Sequence, residues 1–84
     1  MKLMVFSVFD TKAGAYASPF FMSNQAQASR DFGDAVQNPK LHLNKHPEDF
    51  SLYCLGIFDD NSGKIESFDT PDHVCNAVDF INNS

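Results

Sequence analysis

The sequence is short of most things that announce an activity. It has no tryptophan, two cysteines, and six basic side chains against eleven acidic ones in 84 residues, a formal charge of −5. A small secreted scaffold needs several disulfides, so two cysteines exclude that class, and Cys54 and Cys75 read as free, mostly buried thiols. The acidic balance excludes a surface that coats polyanions throughout, because counterion release requires Lys and Arg. No apolar run approaches the ~18 residues of a membrane helix. The opening MKLMVFSVFD is too soon interrupted by Asp10 to be a secretory h-region, so a soluble cytosolic protein is expected. No break rich in Pro, Gly or Ser divides the chain, and residues 1–84 read as one domain. Nucleophile elbows, phosphate-binding glycine loops and Cys/His signatures are also missing. Asp59 and Asp60 are adjacent, so their side chains diverge if extended, and a hairpin rim cannot raise a carboxylate pKa by burial. Neither an enzyme nor a cofactor is expected.

What the sequence does have is apolar patterning. Leu3 to Phe9 is a dense run broken by Ser7 and reads as a strand; TKAG then turns the chain, and AYASPFFM returns as a second extended segment with Pro19 at an edge or bulge. Ser23 or Asn24 caps a helix running to about Gln37, with Ala28, Phe32, Ala35 and Val36 on one face. Gly33 weakens that helix by up to ~1 kcal/mol, and Asn38-Pro39 ends it. Residues 38–49, NPKLHLNKHPED, show no sustained period and read as a long ordered loop. FSLYCLGIF and KIESF form a second hairpin around DDNSG. Thr70-Pro71-Asp72 then combines a capping hydroxyl, a preset φ and a negative charge, predicting a second helix that buries Val74, Ala77, Val78 and Ile81.

Phe9, Asp10 and Gly14 match Phe58, Asp59 and Gly63 at identical spacing, with Ser18 and Ser67 also in step. Convergence on one turn type and duplication both account for it. The expected fold is α+β: a four-stranded, mainly antiparallel sheet with two helices on one face, in ββα-ββα order. The strands are nevertheless apolar on both sides. A half-solvated antiparallel sheet alternates instead, so a second copy is expected to cover the free face through Phe6, Val8, Tyr53, Leu55 and Ile57.

Three constellations invite a chemical reading. The loop LGIFDDNSGKIESF resembles a calcium loop only superficially: with Gly63 at position six, Phe58 falls at position one, and starting at Asp59 puts Lys64 at six. It reads as a turn. His42 and His46, with Cys54 and Cys75, hold enough donor types for zinc, but CxxC spacing is absent and no metal is expected. Lys40, His42, Lys45 and His46 are the densest basic cluster. Arg30, Lys40, Lys45 and His46 are therefore the candidate phosphate contacts, and Tyr53 is the candidate stacking residue.

MVFSVFD, SPFF and NKHPEDFSLYCLGIFDDNSG occur in that order, and the chain resembles the small non-structural protein of gokushoviruses, microvirus-type phages with single-stranded DNA genomes. The run His46-Pro47-Glu48-Asp49-Phe50, followed by Leu52-Tyr53 and Gly56, carries the resemblance most specifically. It implies a non-structural phage protein made in the host bacterial cytoplasm. Its implied partners are single-stranded DNA or the replication and procapsid proteins; it brings no catalytic residue. A module that engages a phage or host protein without touching nucleic acid is the alternative.

Overall fold

The computed structural model of the protein describes residues 1–81. Five strands, β1 (Lys2–Asp10), β2 (Ala15–Tyr16), β3 (Phe20–Met22), β4 (Phe50–Asp59) and β5 (Lys64–Asn76), form one antiparallel sheet. Two helices, α1 (Gln25–Val36) and α2 (His42–Lys45), lie between β3 and β4 in sequence. Short 3-10 turns occupy Pro47–Asp49 and Ala77–Phe80. The α+β class and the antiparallel sheet are those expected.

β1 sits inside the sheet, with Val5, Phe6 and Ser7 at its middle buried. It pairs with β4 from Lys2↔Asp59 to Asp10↔Phe50, and with β2 and β3 along its other edge. The returning segment is split in two at Ala17-Ser18-Pro19. Pro19 has no N–H for a ladder, and the gap is bridged by Ala17 N–H donating to the Val8 carbonyl at 2.9 Å and the Ser7 hydroxyl donating to the Ala17 carbonyl at 2.6 Å. That last bond satisfies the hydroxyl of a fully buried serine.

The two hairpin turns share one geometry. Gly14 and Gly63 take φ of 65° and 74°, and their N–H groups donate to the carbonyls of Asp10 and Asp59, both at 2.8 Å. Left-handed backbone at those positions is what glycine allows at low cost.

Asn24 caps α1, its Oδ1 accepting from Gln27 N–H at 2.8 Å. Ala28, Phe32, Gly33 and Val36 are its buried face. They close over Phe6, Leu52 and Cys54 of the sheet, with Ala77 completing the fully buried core. Ala35, expected on that face, is half-buried, and Gly33 takes a place in it. The reason is Phe80: a Cβ on Gly33 would stand 2.6 Å from the Phe80 ring, which also meets Phe32 edge-on at 6.0 Å.

The predicted helix from Thr70 is not formed; that segment is the second half of β5, and Val78 is exposed. Asp72, His73, Cys75 and Asn76 pair with Cys54, Tyr53, Leu52 and Ser51. A helix there would leave the β4 edge without hydrogen-bond partners, and this requirement outweighs a local capping signal. Pro71 is accommodated because residues 68–71 bulge out opposite Leu55 on an edge strand. The predicted loop over residues 38–49 is also corrected: it holds α2, anchored by the Asn44 side chain donating to the Val36 carbonyl at 2.9 Å, and the 3-10 turn behind it. The second helix therefore comes from the middle of the chain, and the ββα-ββα order is not what the structure shows.

Candidate functional site on the open face of the sheet

The sheet presents two unlike faces. Side chains alternate along a strand, so with Phe6 beneath α1, the residues Leu3, Val5, Ser7 and Phe9 of β1 face the other way. Directly paired residues share a face, which places Tyr53 beside Ser7 and Phe58 beside Leu3. This open face carries two groups of rings. In the larger, Phe9 and Tyr16 lie 4.8 Å apart, and Tyr53 meets Phe9 at 6.2 Å and Tyr16 at 5.7 Å, both edge-on. His73 closes the row, edge-on to Tyr53 at 5.4 Å. Its Nε2 lies 2.7 Å from Asn76 Oδ1, which also accepts from the Ser51 hydroxyl, so the imidazole is held in place. In the smaller group Phe21 packs edge-on against Phe58 at 5.4 Å, next to Ile65. Tyr16 and Phe21 are each 43% exposed and Ile65 58%, so the face is wet at its rims while Val5 and Ser7 beneath are buried.

Of the residues expected to bind nucleic acid, Tyr53 stands at the centre of this aromatic row. Arg30 on α1, Lys40 before α2, and Lys45 and His46 at the end of α2 are exposed, but on the helical layer across the sheet from Tyr53. The structure does not bring them together with it.

The expected shared interface of Phe6, Val8, Tyr53, Leu55 and Ile57 needs correction. Phe6 is fully buried beneath α1, and Val8 packs on the same core. Ile57 pairs with Met4 on that side, whereas Tyr53 faces the opposite one. The cause is a bulge: Val5 pairs with Gly56 and Phe6 with Cys54, leaving Leu55 as the extra residue and inverting the alternation along β4. Gly56 is required at that crossing, because a Cβ there would collide with the Glu66 carbonyl oxygen.

The four candidate zinc donors do not assemble: His42 and His46 lie side by side, but the cysteines are elsewhere. Cys54 is buried and Cys75 half-buried; burial pushes both thiols above their ordinary range, which leaves them protonated and poor as ligands or nucleophiles. Among the described residues no cysteine joins a group of metal-capable side chains. In the DDNSG turn, Asp59 Oδ1 accepts from Asn61 N–H at 2.9 Å, so that carboxylate serves the turn.

Sequence reasoning counts Tyr16 and the phenylalanines among possible stacking residues but commits to neither Phe9 nor Tyr16, and it passes over His73. The first two sit at matching ends of the first hairpin, Phe9 opposite Tyr16, and that register is legible once the turn is fixed at Gly14. His73 is hidden by the helix expected around it.

These features define a small antiparallel α+β protein with a row of partly exposed aromatic rings on one sheet face. The chain belongs to the phage ORF5 protein family, whose model matches residues 3–80. It is 33% identical over 73 residues to Protein ORF5 of Chlamydia phage 1, a match covering 82% of this chain and 76% of that protein. No solved structure matches. Among the described residues no helix is long and apolar enough to cross a membrane.

Proposed function

We propose that the protein is a non-catalytic accessory factor of a single-stranded DNA phage, serving genome replication or packaging in the cytoplasm of the bacterial host. It does so by holding single-stranded DNA against the open face of its sheet. The observation that supports this reading is the row Phe9, Tyr16, Tyr53 and His73, with Tyr16 43% exposed on a sheet surface that no helix among the described residues covers. Base–aromatic stacking contributes roughly 1–3 kcal/mol per base and tolerates any sequence, which suits a factor that handles a whole genome. With a net charge of −5, phosphate contacts are a minor contribution. Arg30, Lys40, Lys45 and His46 serve only a strand that continues around the sheet edge. Fluorescence anisotropy with labelled oligothymidine tests this. Binding at low salt with a shallow salt dependence is expected, and Tyr53→Ala or Tyr16→Ala weakens it by about 10-fold each, while Lys40→Ala and Lys45→Ala have smaller effects. Absence of binding at low salt rejects it.

A second reading rests on a different observation, the exposed pair Phe21 and Ile65 beside Phe58. Apolar side chains at such exposure suit a protein partner, either a second copy forming a homodimer or a replication or procapsid protein. Sedimentation across a concentration series separates the readings. A dimer that Phe21→Glu or Ile65→Glu dissociates, with no oligothymidine binding, supports the protein interface. A monomer at every concentration removes the homodimer.

A further inference from the structure

On the other side of the molecule, the segment between α1 and β4 gathers side chains of which the DNA-binding reading uses only His46, and that one marginally. His46, Glu48 and Asp49 each offer one ligand atom, and these atoms lie within 4.8 Å of one another. His46 Nδ1 stands 3.9 Å from Glu48 Oε2. A second imidazole is next to them: the His42 ring lies nearly parallel to that of His46, 6.4 Å away between centroids with 22° between planes. His42, His46 and Asp49 also line one open cleft of about 340 Å³ together with Asp10, Lys12 and Phe50.

The backbone explains why these four converge. His46 N–H donates to the His42 carbonyl at 2.9 Å, a full helical turn, which puts residues four apart on one face. Asp49 N–H donates to the His46 carbonyl at 3.0 Å, a 3-10 turn in which residues three apart eclipse. Pro47 opens that turn with φ already set. Both ends are tied to the body of the protein, α2 through Asn44 to the Val36 carbonyl at 2.9 Å and the 3-10 turn through Thr11 N–H to the Asp49 carbonyl at 2.9 Å.

We propose that this segment is a binding site for a divalent transition-metal ion of the zinc type, with His46, Glu48 and Asp49 as ligands and His42 as the fourth. Two imidazoles and two carboxylates suit zinc, cobalt or nickel, whereas calcium and magnesium take oxygen almost throughout. Zinc holds nitrogen and oxygen ligands at about 2.0–2.2 Å, so ligand atoms around a tetrahedral ion stand roughly 3.4 Å apart. His42, His46 and Glu48 are exposed and Asp49 half-buried, leaving rotamer freedom to close from the present separations on a backbone that is already fixed. The ion clamps α2 to the turn that leads into β4. Asp49, which lines the cleft with Asp10, gains a counter-charge.

The test is calorimetric titration of zinc chloride into the full chain after treatment with a chelator and desalting. One ion per chain is expected, with a rise in melting temperature on binding. His46→Ala and Glu48→Gln should each weaken affinity by 10-fold or more, and His42→Ala by a smaller factor. His73→Ala, on the opposite face, and Cys75→Ser should leave it unchanged. These histidines and Glu48 are exposed, so the variants should melt like the parent without metal. The proposal is overturned if zinc does not bind, if His46→Ala binds like the parent, if Cys75→Ser abolishes binding, or if calcium chloride binds as tightly as zinc.

Discussion

The two hairpins of this protein are closed by the same turn and then diverge. After Gly14 the returning strand breaks at Ala17-Ser18-Pro19, pairs again for three residues and yields to α1. After Gly63 the returning strand runs for 13 residues, absorbs a proline in a bulge and ends in a 3-10 turn docked on α1. Turn geometry is local, set by an aspartate carbonyl and a left-handed glycine. The course of the chain beyond each turn is decided by the neighbours on offer. With α1 filling the helical face, the edge of β4 needs hydrogen bonds more than the sheet needs a second long helix.

The sharpest test of that account is at the crossing where β4 meets both neighbours. Gly56 pairs with Val5 on one side and Ser67 on the other, and a Cβ there collides with the backbone of β5 rather than with a movable side chain. Gly56→Ala should therefore cost about 3 kcal/mol in urea denaturation, the upper part of the range for overpacking. A loss below about 1 kcal/mol would mean that β5 is not held against β4 as described.

A smaller effect probes how the second hairpin docks on the helix of the first. Alanine is the better helix former by up to ~1 kcal/mol, so an exposed Gly33 would gain from replacement. Under Phe80 the added Cβ crowds the ring, and Gly33→Ala should instead destabilise by about 1 kcal/mol. In a Phe80→Ala background the crowding is gone and the same change should stabilise. Equal effects in both backgrounds would break the coupling between α1 and the Ala77–Phe80 turn.

This contrast also shows how much is legible in the sequence. β1, both turns, α1 with its Asn24 cap, and β4 follow from apolar runs, glycine position and capping chemistry, all of which act within a few residues. β5 beyond Ser67 escapes because Thr70-Pro71-Asp72 satisfies every local rule for a helix start, while the competing demand comes from the edge of β4, outside the local window. The candidate surface suffers likewise: Tyr53 is recognisable as a stacking residue, but the bulge at Leu55 moves Ile57 to the opposite face from it, and no pattern of alternation reveals an inserted residue. Phe6 is misplaced on the free face because periodicity assigns two faces without saying which of them the helix covers.

If the turns are equivalent, their glycines should respond alike. Among the described residues nothing beyond the adjacent ones lies within 4 Å of where a Cβ would stand on Gly14 or Gly63, so the cost of alanine is conformational alone, about 1 kcal/mol for each through the positive φ. The two losses should agree within about 0.5 kcal/mol and add in the double variant, since the turns share no partners. Unequal losses would show that one hairpin depends on its turn more than the other.

The smallest effect tests the charge at the second turn. Asp59 has its carboxyl held below the ordinary aspartate range, first by the hydrogen bond from Asn61 N–H, against a desolvation cost, and then by Ser62 N–H, the chain's amino terminus and Lys2. That amino group pairs with the neighbouring Asp60 at 2.8 Å, which brings its positive charge to the turn. A carboxyl whose folded-state pKa is depressed contributes stability above its unfolded value, and the contribution is lost as pH falls through the folded one. Asp59→Asn keeps an oxygen for Asn61 and removes the charge. It should lower the urea midpoint slightly at about pH 7, and the difference from the parent should shrink below about pH 4 and vanish in stronger acid. A difference that persists unchanged at low pH would mean that Asp59 acts through shape alone.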